Sequence, residues 1–229
     1  MTVDTFMHLA NNSDGVLYVI AAMLLVALTV IIERFWFLHR AAASTHAALA
    51  EIDRSESLSP ATLNACAEQF HGMPAASLFA SAARLAGHTS DDALESCMEE
   101  VIMRQAPRID RFLWVLDTIV TLAPLLGLFG TILGMFNAFQ VLSNPGNAPT
   151  QVTGGVAQAL IATASGLFVA MIGLVFFNGL HNRVRVVVHQ LETLKAALVN
   201  RIARAPHEHP RALKDAPRAV VGKLVSQGA

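Results

Sequence analysis

Three stretches of this chain, 15–32, 112–142 and 151–180, are apolar for long enough to cross a bilayer. A span of that kind is helical, because in hydrocarbon the backbone groups have only one another to bond. Gly15 to Ile32 is an uninterrupted run of 18 mostly apolar residues; at about 1.5 Å per residue it covers roughly 27 Å, close to the hydrocarbon thickness. It ends at Glu33-Arg34 with Trp36 just beyond. An acid, a base and an aromatic there suit a cytoplasmic interface.

Charge position then gives the topology. All 16 Lys and Arg residues fall in two blocks, 34–111 and 183–223, and none lies in 1–33 or 112–182. Basic residues stay on the cytoplasmic side of inserted segments. The expected fold is therefore an all-α membrane protein with three transmembrane helices, its N-terminus outside and its long helices extending into a cytoplasmic helical region. Only 14% of the residues are charged, against roughly 25% in soluble domains. Residues 1–14 carry Asp4 and Asp14 and no basic residue, and the run that follows is too long for a signal-peptide core, so the first helix is read as retained.

The expected organisation is a periplasmic N-terminus (1–14), a first transmembrane helix (15–38) and a cytoplasmic helical region (39–111). A second transmembrane helix with a cytoplasmic extension (112–142), a periplasmic hairpin (143–150) and a third transmembrane helix (151–182) follow. A cytoplasmic amphipathic helix (183–205) and a flexible tail (206–229) complete it. Within 39–111, Ser59-Pro60 and Met73-Pro74 read as helix starts and Thr89-x-x-Asp92 as a capping box. Leu94, Met98, Val101 and Ile102 form one stripe, which Pro107 is expected to interrupt or kink. The uncharged 143–150 hairpin forces the third helix antiparallel to the second. Beyond it the helix is expected to continue, because Val184, Val187, Val188, Leu191, Leu194, Leu198 and Ile202 hold a helical stripe. Cys66 and Cys97, both in the first basic block, are expected as free thiols in a reducing compartment.

The candidate functional residues lie in the second and third spans. Pro124, Gly127, Thr131, Gly134 and Ala138 step by 3, 4, 3 and 4; Ala159, Thr163, Gly166, Ala170 and Gly173 step by 4, 3, 4 and 3. Each set is one straight face of small residues carrying a single threonine, and such faces let membrane helices approach closely. Plain helix packing accounts for either face alone. Two of them on antiparallel neighbours leave some surface for another subunit or a pore. No carboxylate, lysine or histidine lies in the middle of a span, where a charge costs about 2.5 to 3.5 kcal/mol on insertion scales. Asp117, about two turns inside the second helix, is either a proton entry group or an interfacial carboxylate that hydrates or pairs with Arg183. If the seam conducts protons, a partner has to bring the acid.

Enzyme readings find no support: no nucleophile elbow, no His-Glu-x-x-His and no phosphate loop occur, and no catalytic residue, cofactor, metal site or nucleic-acid motif is expected. His207-Glu208-His209 lacks the further ligands a metal would need.

The stretches Leu116-Asp117-Thr118-Ile119, Ala123-Pro124-Leu125-Leu126-Gly127-Leu128-Phe129-Gly130-Thr131-Ile132-Leu133-Gly134-Met135 and Gly154-Gly155-Val156-Ala157-Gln158-Ala159-Leu160-Ile161-Ala162-Thr163-Ala164-Ser165-Gly166-Leu167 resemble the signature of the MotA/TolQ/ExbB proton-channel family, in its ExbB-like branch. The resemblance implies a complex in the bacterial inner membrane. Several copies of the chain, five in ExbB-like members, would surround an ExbD-like single-span protein that supplies the protonatable aspartate. Proton flow would work a TonB-like protein and outer-membrane transport. By motif, Thr131 and Thr163 match pore-facing threonines, and Pro124, Gly127, Gly134 and Gly166 are packing positions. Gln158 stands where many ExbB-like chains have glutamate, so it can hydrogen-bond at the pore but not ionise. A TolQ-like role in envelope integrity, or a structural membrane scaffold, are the alternative readings.

Overall fold

The computed structural model describes residues 15–55, 58–87, 89–142 and 149–204. Among them there are six helices and no strand: α1 (Val16–Arg54), α2 (Pro60–Gln69), α3 (Pro74–Leu85), α4 (Asp91–Ile109), α5 (Leu113–Leu142) and α6 (Pro149–Arg204). Three of these, α1, α5 and α6, are long and apolar enough to cross a membrane. The expected N-terminal segment, the 143–148 part of the hairpin and the tail lie outside the described residues.

Two of the spanning helices do not stop at the bilayer. α1 has 39 residues and α6 has 56, about 58 Å and 84 Å at 1.5 Å per residue. Residues 33–54 contain neither glycine nor proline, so nothing ends α1 at the interface. It continues with Leu38, Ala41, Thr45, Ala48 and Ile52 buried on a 3, 4, 3, 4 spacing. No break in the helix marks the boundary expected at 38/39. On α6, Val184, Val187, Leu191, Leu194, Leu198 and Ile202 are buried against α1 and the short helices, with Val188 packed at their edge. Lys195 of α6 bonds Glu99 of α4, and Arg201 bonds Asp53 and the carbonyls of Ile52 and Ser55, which caps the C-terminal end of α1.

The short helices begin where local chemistry starts them. Ser59 caps α2, its Oγ accepting from the Thr62 N–H at 3.2 Å, with Pro60 in the first turn. Pro74 opens α3 in the same position. Helix α4 departs from the expectation at both ends. It starts at Asp91 after Ser90, without a side-chain cap bond, since Asp91 and Asp92 already supply negative charge to its first turn. It also runs through Pro107 and stops two residues later, where the Asp110 N–H closes on the Ala106 carbonyl.

The joint between α4 and α5 is built around one buried cation. Phe112 sits at φ 66, the left-handed region that costs a bulky residue strain. Its ring lies 5.5 Å from the Arg34 guanidinium and 4.4 Å from that of Arg111. Arg34 is 3% exposed. It donates to both Glu33 oxygens at 2.5 and 2.8 Å and to the Arg108 carbonyl at 3.1 Å. One side chain at the end of the first span thus fastens α1 to the entrance of the second.

Cys66 and Cys97 are free thiols. Burial pushes the Cys66 thiol above its ordinary range, and Glu51 adds to the shift. An acid whose folded pKa is raised keeps its full contribution below the unfolded value and loses it as pH rises, because the unfolded chain ionises first. We expect the thermal midpoint to fall between about pH 8 and about pH 10, and Cys66→Ala to flatten that slope; an unchanged slope would contradict the assignment.

Candidate functional site

The site is the crossing of α5 and α6. Their contact pairs run in opposite order, so the helices are antiparallel. A Cβ added at Gly127 would lie 3.0 Å from the Thr163 Cα and the Ala162 carbonyl oxygen. At Gly134 it would lie 2.9 Å from the Ala159 Cβ, and at Gly155 2.9 Å from the Ala138 Cβ. At Gly166 it would land on the Ala123 carbonyl oxygen. Backbone meets backbone along this seam, which only glycine and alanine allow.

The contact ridge of α5 is Ala123, Gly127, Gly130, Gly134 and Ala138; it shares Gly127, Gly134 and Ala138 with the expected face and has Ala123 and Gly130 in place of Pro124 and Thr131. Gly130 was not among the expected packing positions. It lies where three helices meet, its added Cβ falling 2.6 Å from Ala162 of α6 and 3.2 Å from Val16 of α1. The signal was present in sequence as a second small-residue spacing starting at Ala123. Pro124 and Thr131 are half-buried on the shoulder of the ridge.

Thr163 is half-buried, and its Oγ1 donates to the Gly127 carbonyl at 3.0 Å, across the two helices. In an α-helix that same carbonyl accepts the N–H of residue 131. The Thr131 hydroxyl turns back on its own helix, donating to the Leu128 carbonyl at 2.6 Å. The two threonines therefore meet at one turn of α5.

Asp117 shares the outer shoulder of α5 with Thr131. Fourteen residues at about 100° each return nearly to the same face, roughly 21 Å further along. Asp117, Thr118 and Thr121 are all exposed. The Thr118 hydroxyl donates to the Trp114 carbonyl at 2.8 Å, and that of Thr121 to the carbonyls of Thr118 and Asp117 at 2.9 and 3.2 Å. Each of these hydroxyls has spent its proton on the backbone and offers only oxygen lone pairs outward. Thr118 and Thr121 were missed in sequence because they fall outside the small-residue repeat. Among the described residues Asp117 forms no ion pair; Arg183 instead contacts His39 Nδ1 at 3.3 Å and covers the Phe35 ring at 4.9 Å.

Gln158 is not brought to this place. Five residues separate it from Thr163, so about 140° of helix turn lies between them. Its side chain is half-buried and engaged. No group of three or more potential metal ligands occurs among the described residues.

Residues 71–193, from the start of α3 through most of α6, match the sequence profile of the MotA/TolQ/ExbB proton channel family. The chain is 33% identical over 158 residues to the biopolymer transport protein ExbB-like 3 of Synechocystis sp., covering 67% of this chain and 74% of that protein. It is 27% identical over 192 residues to an ExbB homolog of Methanothermobacter thermautotrophicus, covering 83% and 68%. Against the Tol-Pal system protein TolQ of Haemophilus influenzae the identity is 37% over 91 residues, which is 39% of this chain and 40% of the relative.

Proposed function

Because the chain belongs to the MotA/TolQ/ExbB proton channel family, a family of channels and not of enzymes, we propose that it is the ExbB-like subunit of a proton-driven stator in the bacterial inner membrane. In this reading the N-terminus faces the periplasm, and the basic blocks and the helical region lie in the cytoplasm. Several copies, five by the family resemblance, surround an ExbD-like single-span protein, and the complex drives a TonB-like protein. The TolQ relative keeps a role in envelope integrity as the nearest alternative.

The observation that carries the proposal is the polar line on the outer shoulder of α5. Asp117, Thr118 and Thr121 are exposed at the cytoplasmic end of a membrane helix, and Thr131 returns to within about 40° of the Asp117 face toward the midplane, with Thr118 about 140° from it. Facing lipid, an unpaired carboxylate and a row of acceptor oxygens would be costly. Facing a hydrated, protein-lined space, they are suited to water carrying an excess proton. None of these groups can hold a charge through a conformational step except Asp117, at the entrance, so the carboxylate that loads and releases protons belongs to the partner chain. Thr131 lines the path with Thr163 behind it, and Gln158 lies about 140° round α6 from Thr163. A proton descending the membrane potential supplies about 2.3 kcal/mol per 100 mV, which only an assembly with moving parts can convert into work.

The test is co-expression with an ExbD-like single-span protein. The detergent-extracted complex should weigh as a multi-copy ring around that partner. Thr131→Val combined with Thr163→Val should leave the ring intact and abolish energised transport. A scaffold predicts intact transport from the same variant, and the absence of any ring would sink the stator reading.

A further inference from the structure

Two hydroxyls and one peptide carbonyl at the crossing of α5 and α6 form a connected set. Thr163 Oγ1 donates to the Gly127 carbonyl oxygen at 3.0 Å. That oxygen is also the helical acceptor of the Thr131 N–H. The contact is closed from both sides, because a Cβ at Gly127 would strike the α6 backbone and one at Gly166 would strike the α5 backbone. Thr163 can therefore reach the carbonyl only while the two helices lie this close.

The surrounding stretch of α5 is poor in helical restraint. Pro124 has no N–H, so the Val120 carbonyl lacks its helical donor, and the ring crowds that carbonyl. The Thr121 and Thr131 hydroxyls both donate back to carbonyls of their own helix, a pattern that bends helices. A helix weakened at Pro124, with hydroxyls at Thr121 and Thr131 competing for its carbonyls, can swing its next turn, and the hydrogen bond from Thr163 is placed on that turn.

We propose that Thr163 is a positioning residue: its hydroxyl fixes the Gly127 peptide and thereby sets where the Thr131 oxygen stands on the conducting face. This rests on the reading of Thr131 as lining. It divides the labour between the two threonines, Thr131 meeting water and Thr163 acting through the α5 backbone. The assignment also explains why the isosteric Thr163→Val variant should fold, since the Gly127 carbonyl keeps its helical donor and is not orphaned.

The experiment reads the position of residue 131 without using conduction. In full-length protein in native membrane vesicles, with Cys66 and Cys97 replaced by alanine, Thr131→Cys is reacted with a small methanethiosulfonate reagent. Adding Thr163→Val should change the modification rate several-fold, and Thr163→Ser, which keeps the hydroxyl, should restore it. An equal rate with Thr163 and Thr163→Val overturns the positioning role, whatever happens to transport. A rate change that Thr163→Ser does not reverse overturns it as well, because shape and not the hydrogen bond would then be responsible. Loss of the stator reading would instead show as intact energised transport in Thr131→Val alone, which leaves the modification rates untouched.

Discussion

A Gly166→Leu variant is expected to lose the native packing of α5 on α6 and to disappear from the monodisperse, detergent-extracted fraction. Even the first carbon of the new side chain would lie 2.4 Å from the Ala123 carbonyl oxygen and 3.1 Å from the Gly127 Cα. Both are backbone atoms, so no rotamer change relieves the overlap. Overpacking of a formed core typically costs about 1 to 3 kcal/mol, and here the whole crossing has to separate, so about 3 kcal/mol or more is the expected loss. Gly179→Ala is the control. A Cβ at Gly179 meets nothing within 4 Å, and alanine in place of a helical glycine stabilises by up to about 1 kcal/mol. Equal thermal midpoints for Gly166→Leu and Gly179→Ala would show that the seam is not the close backbone contact described.

Arg34→Met should loosen the joint between the short helices and the second span. Methionine keeps an apolar stem but removes the donors to Glu33 and Arg108 and the cation between the Phe37 and Phe112 rings. The Arg108 carbonyl loses its partner at a place where Phe112 already holds a strained backbone. The expected cost is about 1 to 3 kcal/mol, toward the lower part of that range because Glu33 is half exposed and solvent screens the ion pair. Trypsin should then cut after Arg111 in folded protein, where it does not in the parent. The exposed pair Arg104–Glu100 offers the contrast, since Arg104→Ala should cost no more than about 0.5 kcal/mol. Unchanged protease resistance in Arg34→Met would remove Arg34 from the joint.

Sequence made much of the fold legible because the bilayer enforces simple rules. Apolar length marked α1, α5 and α6, and the α6 stripe from Val184 to Ile202 was readable as a buried face, since 3.6-residue periodicity survives any tertiary arrangement. Element ends were less legible. The expected division of α1 near residue 38 followed composition, yet a helix ends only where its backbone is interrupted, and residues 33–54 offer no interruption. Pro107 was expected to interrupt or kink the helix, and α4 runs through it for two residues to Ile109.

The crossing divides in the same way. The spacing of Gly127, Gly134, Gly166 and the two threonines along their helices is written in the chain, and so is the lack of a midspan acid. Which edge of that face meets a neighbour is not: Gly127, Gly134 and Ala138 are flanked by Ala123 and Gly130 on one side and by Pro124 and Thr131 on the other. The position of α1 against Gly130 and the registry of α6 select the Ala123–Gly130 side as contact, which leaves Thr131 on the shoulder and hands the Thr163 hydroxyl to a carbonyl. Sequence alone determined that this protein spans the membrane three times, and which small and hydroxyl groups its helices carry. Only the tertiary structure decided which of those groups face a neighbouring backbone and which face open space, because that choice depends on close contacts between residues far apart in the chain.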